Sequence, residues 1–172
     1  MADLNLSQIK TKLSGERTRL NELIATLSRA ELLEPHESGW AIKDLLAHLA
    51  VAENLNIKFA RAMVVVDNPA QLKIMRGDFP DYPHEKFTLD EFNAYMTEKL
   101  RAHELEFVLA ELARVRGETL AWLDTLGEEQ LERRGLHAVW GEQSVRGMLR
   151  IVALHDKMHR DDVAKRQVPR EV

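Results

Sequence analysis

Val145-Arg-Gly-Met-Leu-Arg-Ile-Val-Ala-Leu-His-Asp-Lys-Met-His-Arg-Asp-Asp-Val163 carries Val145, Met148, Leu149, Val152 and Val163 at helical spacing. That period belongs to one face of an α-helix and not to the alternation of a strand. Ser144 suits the N-cap, because its hydroxyl can take an amide proton that the first turn leaves unbonded, and Pro169 stops the helix at its far end. At about 100° per residue, Val145, Met148, Val152, His159 and Val163 share one stripe, with His155 at its margin. A helix built to bury one face therefore brings two imidazoles to that face.

Working back along the chain, the same period recurs. Leu6, Ile9, Leu13, Leu20, Leu23, Ile24 and Leu27 predict a first helix from about Leu4 to Arg29, closed off by Pro35 and Gly39. Ile42, Leu45, Leu46, Leu49, Ala52, Phe59, Ala60 and Met63 predict a second, ending near Val66. Phe107, Val108, Leu112, Val115, Leu120, Leu123 and Leu126 mark a third, with Gly127 as its stop. Between these two, Asp67 to Thr88 holds Asn68-Pro69, Gly77-Asp78, Pro80 and Pro83 without a sustained period and reads as a long connection. A short helix follows through Leu89, Phe92, Tyr95, Met96 and Leu100, N-capped by Thr88; whether the chain bends near His103 is left open by the pattern. No strand pattern appears. The expectation is an all-α four-helix bundle with a long crossover between helices two and three, a single domain over residues 1–172.

The 172 residues are 45% apolar and 30% charged, enough to fold by burial and far from the composition of a disordered chain. The 24 Lys and Arg against 28 Asp and Glu give a net charge of -4, with no basic face, so no nucleic-acid partner is expected. The absence of cysteine excludes disulfides, zinc–thiolate sites and a protein thiol nucleophile, and leaves His, Asp and Glu to hold any metal. Met1 to Lys12 is amphipathic with an early Asp3, unlike a secretion signal, and no run approaches a membrane span. The expected location is the cytoplasm and the expected partner a small-molecule substrate, with no membrane. The sequence does not fix the oligomeric state, a homodimer being the assembly considered.

Among the seven histidines, His155 and His159 stand four apart, which on a helix sets one ring above the other, about 6 Å along the axis and within reach of one ion. His48, beside Leu45 and Ala52, edges the inward face of the second helix. Buried imidazoles need partners, and three neutral ones with open positions form the donor set of a catalytic metal site. Spacing alone does not decide the matter. A chain with this many histidines often contains such a pair by chance, and solvated or hydrogen-bonded rings fit it too.

Trp40-Ala-Ile-Lys-Asp-Leu-Leu-Ala-His48-Leu-Ala-Val-Ala-Glu53, followed later by Val145 to His159, resembles the DinB/YfiT-like superfamily of small metal-binding bundles; Leu89-Asp-Glu-Phe-Asn93 and Ala110 to Leu126 resemble its third section. The resemblance implies the bundle and crossover described above, and a divalent metal, zinc or nickel foremost, held by one residue of helix two and two of helix four. Carried over residue by residue, the ligands are His48, His155 and His159. The resemblance also implies an enzyme that activates a low-molecular-weight thiol, or water, for transfer, isomerisation or hydrolysis of a small electrophilic substrate. Imidazole donors do not choose among zinc, nickel, iron and manganese, and no catalytic residue is assigned. Two features depart from the family pattern. Ala41 stands where a Ser or Thr cap is usual, leaving Ser38 to serve the helix entrance, and the chain ends soon after helix four, without the further domain of mycothiol-dependent isomerases.

Asp44, one turn before His48, reads either as a carboxylate that fixes the His48 tautomer or as a first-turn acid favoured by the helix dipole. Glu53, about 140° round the helix from His48, reads as an interhelical or surface group and not as a ligand. His36, His84, His103 and His137 read as solvated, and Arg114, Arg116, Arg133 and Arg134 as a wet face. Trp40 and Trp140, which open similar segments before helices two and four, read as apolar plugs in preference to pocket walls. Two functions stay in play: the metal-dependent enzyme, and a non-catalytic bundle that sequesters or senses a metal or small ligand in a stress response. An apolar cleft open to the ligands favours the first, a sealed site the second.

Overall fold

The computed structural model describes residues 4–36, 39–79, 82–83 and 88–166. Its helices start where side chains satisfy the amides of a first turn. Asn5 and Gln8 exchange two 2.9 Å bonds at the entrance to α1 (Leu6–Ala25), and Ser28 and Glu31 exchange bonds of 2.7 and 3.3 Å at that of the short α2 (Arg29–Leu33). Ala41, at the head of α3 (Ile42–Val65), has no side-chain acceptor; the Asp44 carboxylate accepts the Ala41 N–H at 2.9 Å instead. Ser38, the residue expected to serve this entrance, lies outside the described residues. Thr88 caps α5 (Leu89–Arg101), and Ser144 Oγ accepts the Gly147 N–H at 3.1 Å at the head of α7 (Val145–Arg166), both as expected.

The four long helices α1, α3, α6 (Leu105–Leu123) and α7 form the expected bundle, and the chain crosses over between α3 and α6. α3 packs against α5, α6 and α7, and α1 packs on α7. The apolar core falls into two clusters. One takes Ile9 and Leu13 of α1, Phe59 and Met63 of α3, Leu123 of α6 and Met148 of α7; the other takes Leu20 and Ile24 of α1, Leu46 and Leu49 of α3, Leu112 of α6 and Val163 of α7.

On each of the four helices a charged side chain stands between the two clusters: Arg17, Glu53, Arg116 and Asp156, all buried. Arg17 Nη2 lies 2.8 Å from Glu53 Oε2 and 2.9 Å from Asp156 Oδ1. Arg116 bonds both acids at 2.7 to 3.0 Å, and Thr119 Oγ1 donates to Glu53 at 2.7 Å. The guanidiniums also donate to the carbonyls of Leu112 and Leu13. Two positive and two negative charges balance, and each carboxylate oxygen is bonded, as burial of charge requires. Arg116 is thus interior and not part of a wet face, whereas Arg114 stays outside between Glu111 and Glu118. Glu53 is interhelical.

Three local departures from the sequence reading have physical reasons, and the point it left open near His103 is settled. The first helix stops at Ala25, because the Ser28–Glu31 box starts a new one. The crossover contains α4 (Gln71–Asp78), which buries Gln71 and Met75 and so shows no apolar period. The chain breaks near His103, between Arg101 and Leu105. An antiparallel hairpin, β1 (Arg134–His137) with β2 (Gly141–Ser144), precedes α7 and pairs Arg134 with Ser144 and His137 with Gly141. Gly135 lets this hairpin lie against α3: a Cβ there would come within 2.8 Å of both Phe59 and Met63 side chains. Among the described residues no helix is long and apolar enough to cross a membrane.

Candidate metal centre

His48 rises from α3, and His155 and His159 from successive turns of α7, so three half-buried rings meet where these helices pack. His155 Nε2 lies 3.2 Å from His48 Nε2 and 3.0 Å from His159 Nε2, and one ligand nitrogen from each residue falls within 4.8 Å of the others. A ring nitrogen offers one proton or one lone pair, so His155 Nε2 serves one neighbour well and not both. Protonation does not resolve the crowding. Burial, with the neighbouring His159, pushes His48 down to about 4; burial, His159 and then His48 push His155 down to about 3. Burial also lowers His159, opposed by Asp162 and Asp156. Neutral rings turned on one point suit a cation: tetrahedral zinc with bonds of 2.0–2.1 Å sets its nitrogens about 3.3 Å apart, close to the spacing here. The three residues therefore fit a divalent ion.

Neighbouring groups set the rings. Asp162 Oδ2 stands 3.2 Å from His159 Nδ1, a charge contact off the line of a hydrogen bond, which favours the proton on Nδ1 and leaves Nε2 as the donor. Asp44 is engaged elsewhere: besides capping α3 it lies 3.5 Å from Arg101 Nε. Its place is that of the first-turn acid. Trp40 meets the His48 ring in a T-shaped contact, centroids 6.0 Å apart.

The rings open into a cavity of about 340 Å³ with His48 and His155 in its wall. Leu55, Ile151, Leu154, Met158 and Trp140 make its apolar surface, so Trp140 is a pocket wall and not a plug. A larger cleft of about 920 Å³ between α3, α4 and α6 has no imidazole among its described lining residues, and offers nothing for this chemistry.

His137, expected in solvent, is 3% exposed in the same wall. Its Nδ1 accepts the N–H groups of Val139 and Trp140 at 3.1 and 3.2 Å, which fixes the ring proton on Nε2, 3.2 Å from Asn56 Oδ1. Burial pushes its pKa down to about 4. Residues 135 and 137 of β1 both turn inward while the apolar Leu136 between them faces out, so the alternation gave no signal for His137. His103 is exposed and stacks on Phe107, His36 is half-buried, and His84 lies outside the described residues. Asn56, Gln71 and Asn93 of the pocket had no sequence signal.

A family model described as the DinB superfamily matches residues 12–163. The chain belongs to the DinB superfamily. Solved structures of this fold include YfiT from Bacillus subtilis, described as "a probable metal-dependent hydrolase with an unusual four-helix bundle topology": 18% identity, 94% of this chain and 86% of that one covered, TM-score 0.68. A Streptococcus pneumoniae protein matches at 14% identity over 97% and 92% of the two chains, with TM-score 0.71. The colibactin self-resistance protein ClbS, in complex with a dsDNA, matches at 13% identity over 94% of each chain, with TM-score 0.67. At these identities the likeness is one of fold. No curated protein matches in sequence. The ClbS complex overturns the expectation of no nucleic-acid partner: net charge averages over a whole surface, and a protein of the DinB fold is seen bound to duplex DNA.

Proposed function

We propose that this DinB protein is a divalent-metal-dependent enzyme, a single-domain bundle over residues 1–172 that works in the cytoplasm. Its ion is held by His48, His155 and His159, and its small electrophilic substrate binds in the adjoining pocket. The observation that carries this reading is the convergence of three Nε2 atoms at the wall of an apolar cavity. Two of the rings front a space of ligand size, which favours catalysis over the non-catalytic bundle that a sealed site would suggest. A divalent ion on three imidazoles supplies Lewis acidity and lowers the pKa of water or a thiol beside it. The chain's own groups do the rest. Burial keeps the rings neutral, Asp162 holds the His159 proton on Nδ1, and the apolar wall with Trp140 excludes water and flanks the substrate. Because the chain has no cysteine, a sulfur nucleophile comes from a low-molecular-weight thiol. The likeness to YfiT supports water as the other nucleophile. Zinc and nickel are the ions that the family resemblance puts foremost, since the imidazole donors do not choose between them and iron.

Metal analysis of protein purified without a histidine tag tests the site, with a stoichiometric divalent metal expected; protein that neither retains nor takes up such an ion refutes the reading. Cobalt-substituted protein then separates the nucleophiles. A new sulfur-to-metal absorption band on adding thiol supports the thiol, and a spectrum unmoved by every thiol leaves water.

A further inference from the structure

Gln71, the first residue of α4, lines the pocket and is 1% exposed. Its Oε1 accepts the Ala138 N–H at 3.1 Å, which fixes the amide's orientation, since turning it would set NH₂ against N–H. Its Nε2 is then buried with no hydrogen-bond partner. Asn93 of α5, in the same wall, has its Oδ1 buried and unpartnered as well. Native interiors rarely leave a polar group unpaired without a use for it, and here a donor and an acceptor are left on two residues that line one small pocket. The other wall amide and the added imidazole are already bonded: His137 Nε2 to Asn56 Oδ1, and Asn56 Nδ2 to the Ala52 carbonyl. Among the described lining residues there is no Lys or Arg, and the one carboxylate is Asp90.

We propose that the pocket recognises an uncharged molecule with an apolar body and a carboxamide group, whose carbonyl accepts from Gln71 Nε2 and whose N–H donates to Asn93 Oδ1. The inference rests on the reading above in one respect, that the three imidazoles serve this pocket. A donor and an acceptor together match the two sides of an amide. In the chelated chain a carboxylate or phosphate meets no cation among the described lining residues, and sets its oxygens against Asn93 Oδ1 and Asp90. Leu55, Leu154 and Trp140 receive the apolar body, and a volume of about 340 Å³ limits the ligand to the small end of the usual range.

Benzamide, benzoate and N,N-dimethylbenzamide, titrated into the ¹⁵N-labelled full chain as purified and after chelation, test this. In the chelated chain benzamide is expected to shift the Gln71 side-chain NH₂ resonances and to bind about tenfold more tightly than either of the others, the loss of one or two hydrogen bonds accounting for the difference. Gln71→Met removes the donor at nearly constant shape and Asn93→Leu removes the acceptor; each should bring benzamide down to the affinity of its dimethyl analogue. Benzoate binding the chelated chain as tightly as benzamide, saturation without a Gln71 shift, or no amide bound at millimolar concentration would overturn the inference. The chelated protein keeps the two readings separable. Selective benzamide binding by a chain that takes no metal leaves this recognition standing and refutes the metal reading, and a metal-binding chain indifferent to benzamide does the reverse.

Discussion

Glu53→Gln keeps the size of a side chain that is 2% exposed and removes its charge. Glu53 accepts bonds from Arg17, Arg116 and Thr119 at 2.7 to 3.0 Å, so the substitution leaves two guanidiniums facing Asp156 alone and turns an amide NH₂ towards donors. The excess charge is not shed as a proton. A guanidinium stays charged inside a protein even when it loses a partner. Breaking a buried pair from one side costs about 3–5 kcal/mol. For a chain of this size, each kcal/mol moves Tm by about 2–4 °C, so a fall of about 6–20 °C is expected by calorimetry. Arg116→Met added to Glu53→Gln restores the balance, leaving Arg17 with Asp156. The double variant should therefore lose at least about 1 kcal/mol less than the sum of the single losses in urea unfolding. A Glu53→Gln protein melting within about 2 °C of the parent, or strict additivity in the double variant, would refute the charge-balance reasoning.

His48→Ala, His155→Ala and His159→Ala should each remove most bound metal while far-UV circular dichroism stays near that of the parent, because the apolar clusters carry the fold; equal metal content would end the assignment. Metal-free protein should lose stability as pH falls from 6.5 towards 4. His48, His137 and His155 are held at about 4, 4 and 3 in the folded chain, so in that window the unfolded chain takes up protons the folded one refuses, while above 6.5 both states are neutral. A plot of Tm against pH should be level above about pH 7 and fall below about 6.5, and a rise on acidification would contradict it. Gly135→Ala, whose Cβ meets Phe59 and Met63, should destabilise by about 1–3 kcal/mol in the same unfolding assay, and no loss would show that the hairpin shifts freely.

The long helices were legible because their apolar residues repeat at helical spacing, and the three histidines because the family resemblance singled them out where the spacing of His155 and His159 alone did not decide. The hairpin was hidden by an inverted pattern: Gly135 and His137 face inward, and Leu136 is 53% exposed. α4 was hidden by burying a glutamine and one methionine. The charge layer was legible in position but not in residue type. Ile9, Leu13, Arg17, Leu20 and Ile24 keep steps of three and four, as do Leu105, Val108, Leu112, Arg116 and Thr119, so each arginine holds a core position. Reading charge as surface overrode the period. The pocket's amides carry no periodic signature at all, because they are brought together by α3, α4 and α5 packing and not by spacing along the chain.

The charge layer and the imidazoles are tied by their offsets along two helices. Asp156 follows His155 directly on α7, about 100° round, so one residue turns to His48 while the next turns to Arg17 and Arg116. Both arginines bridge Asp156 to Glu53 on α3, the helix that carries His48. A slip of α7 along α3 by one residue, about 1.5 Å, would lengthen and misalign bonds of 2.7 to 3.0 Å. Apolar clusters alone tolerate such a slip better, since their attraction has no direction. We therefore predict that replacing the whole layer, with Arg17→Met, Glu53→Leu, Arg116→Met and Asp156→Leu, gives a protein at least as stable as the parent, because buried charges seldom outperform packed apolar groups. The same protein should hold zinc at least about tenfold more weakly by competition with a chelator, as 1.4 kcal/mol of misplacement among three ligands suffices. Undiminished zinc affinity at full stability would show that apolar packing by itself sets the height of His155 against His48.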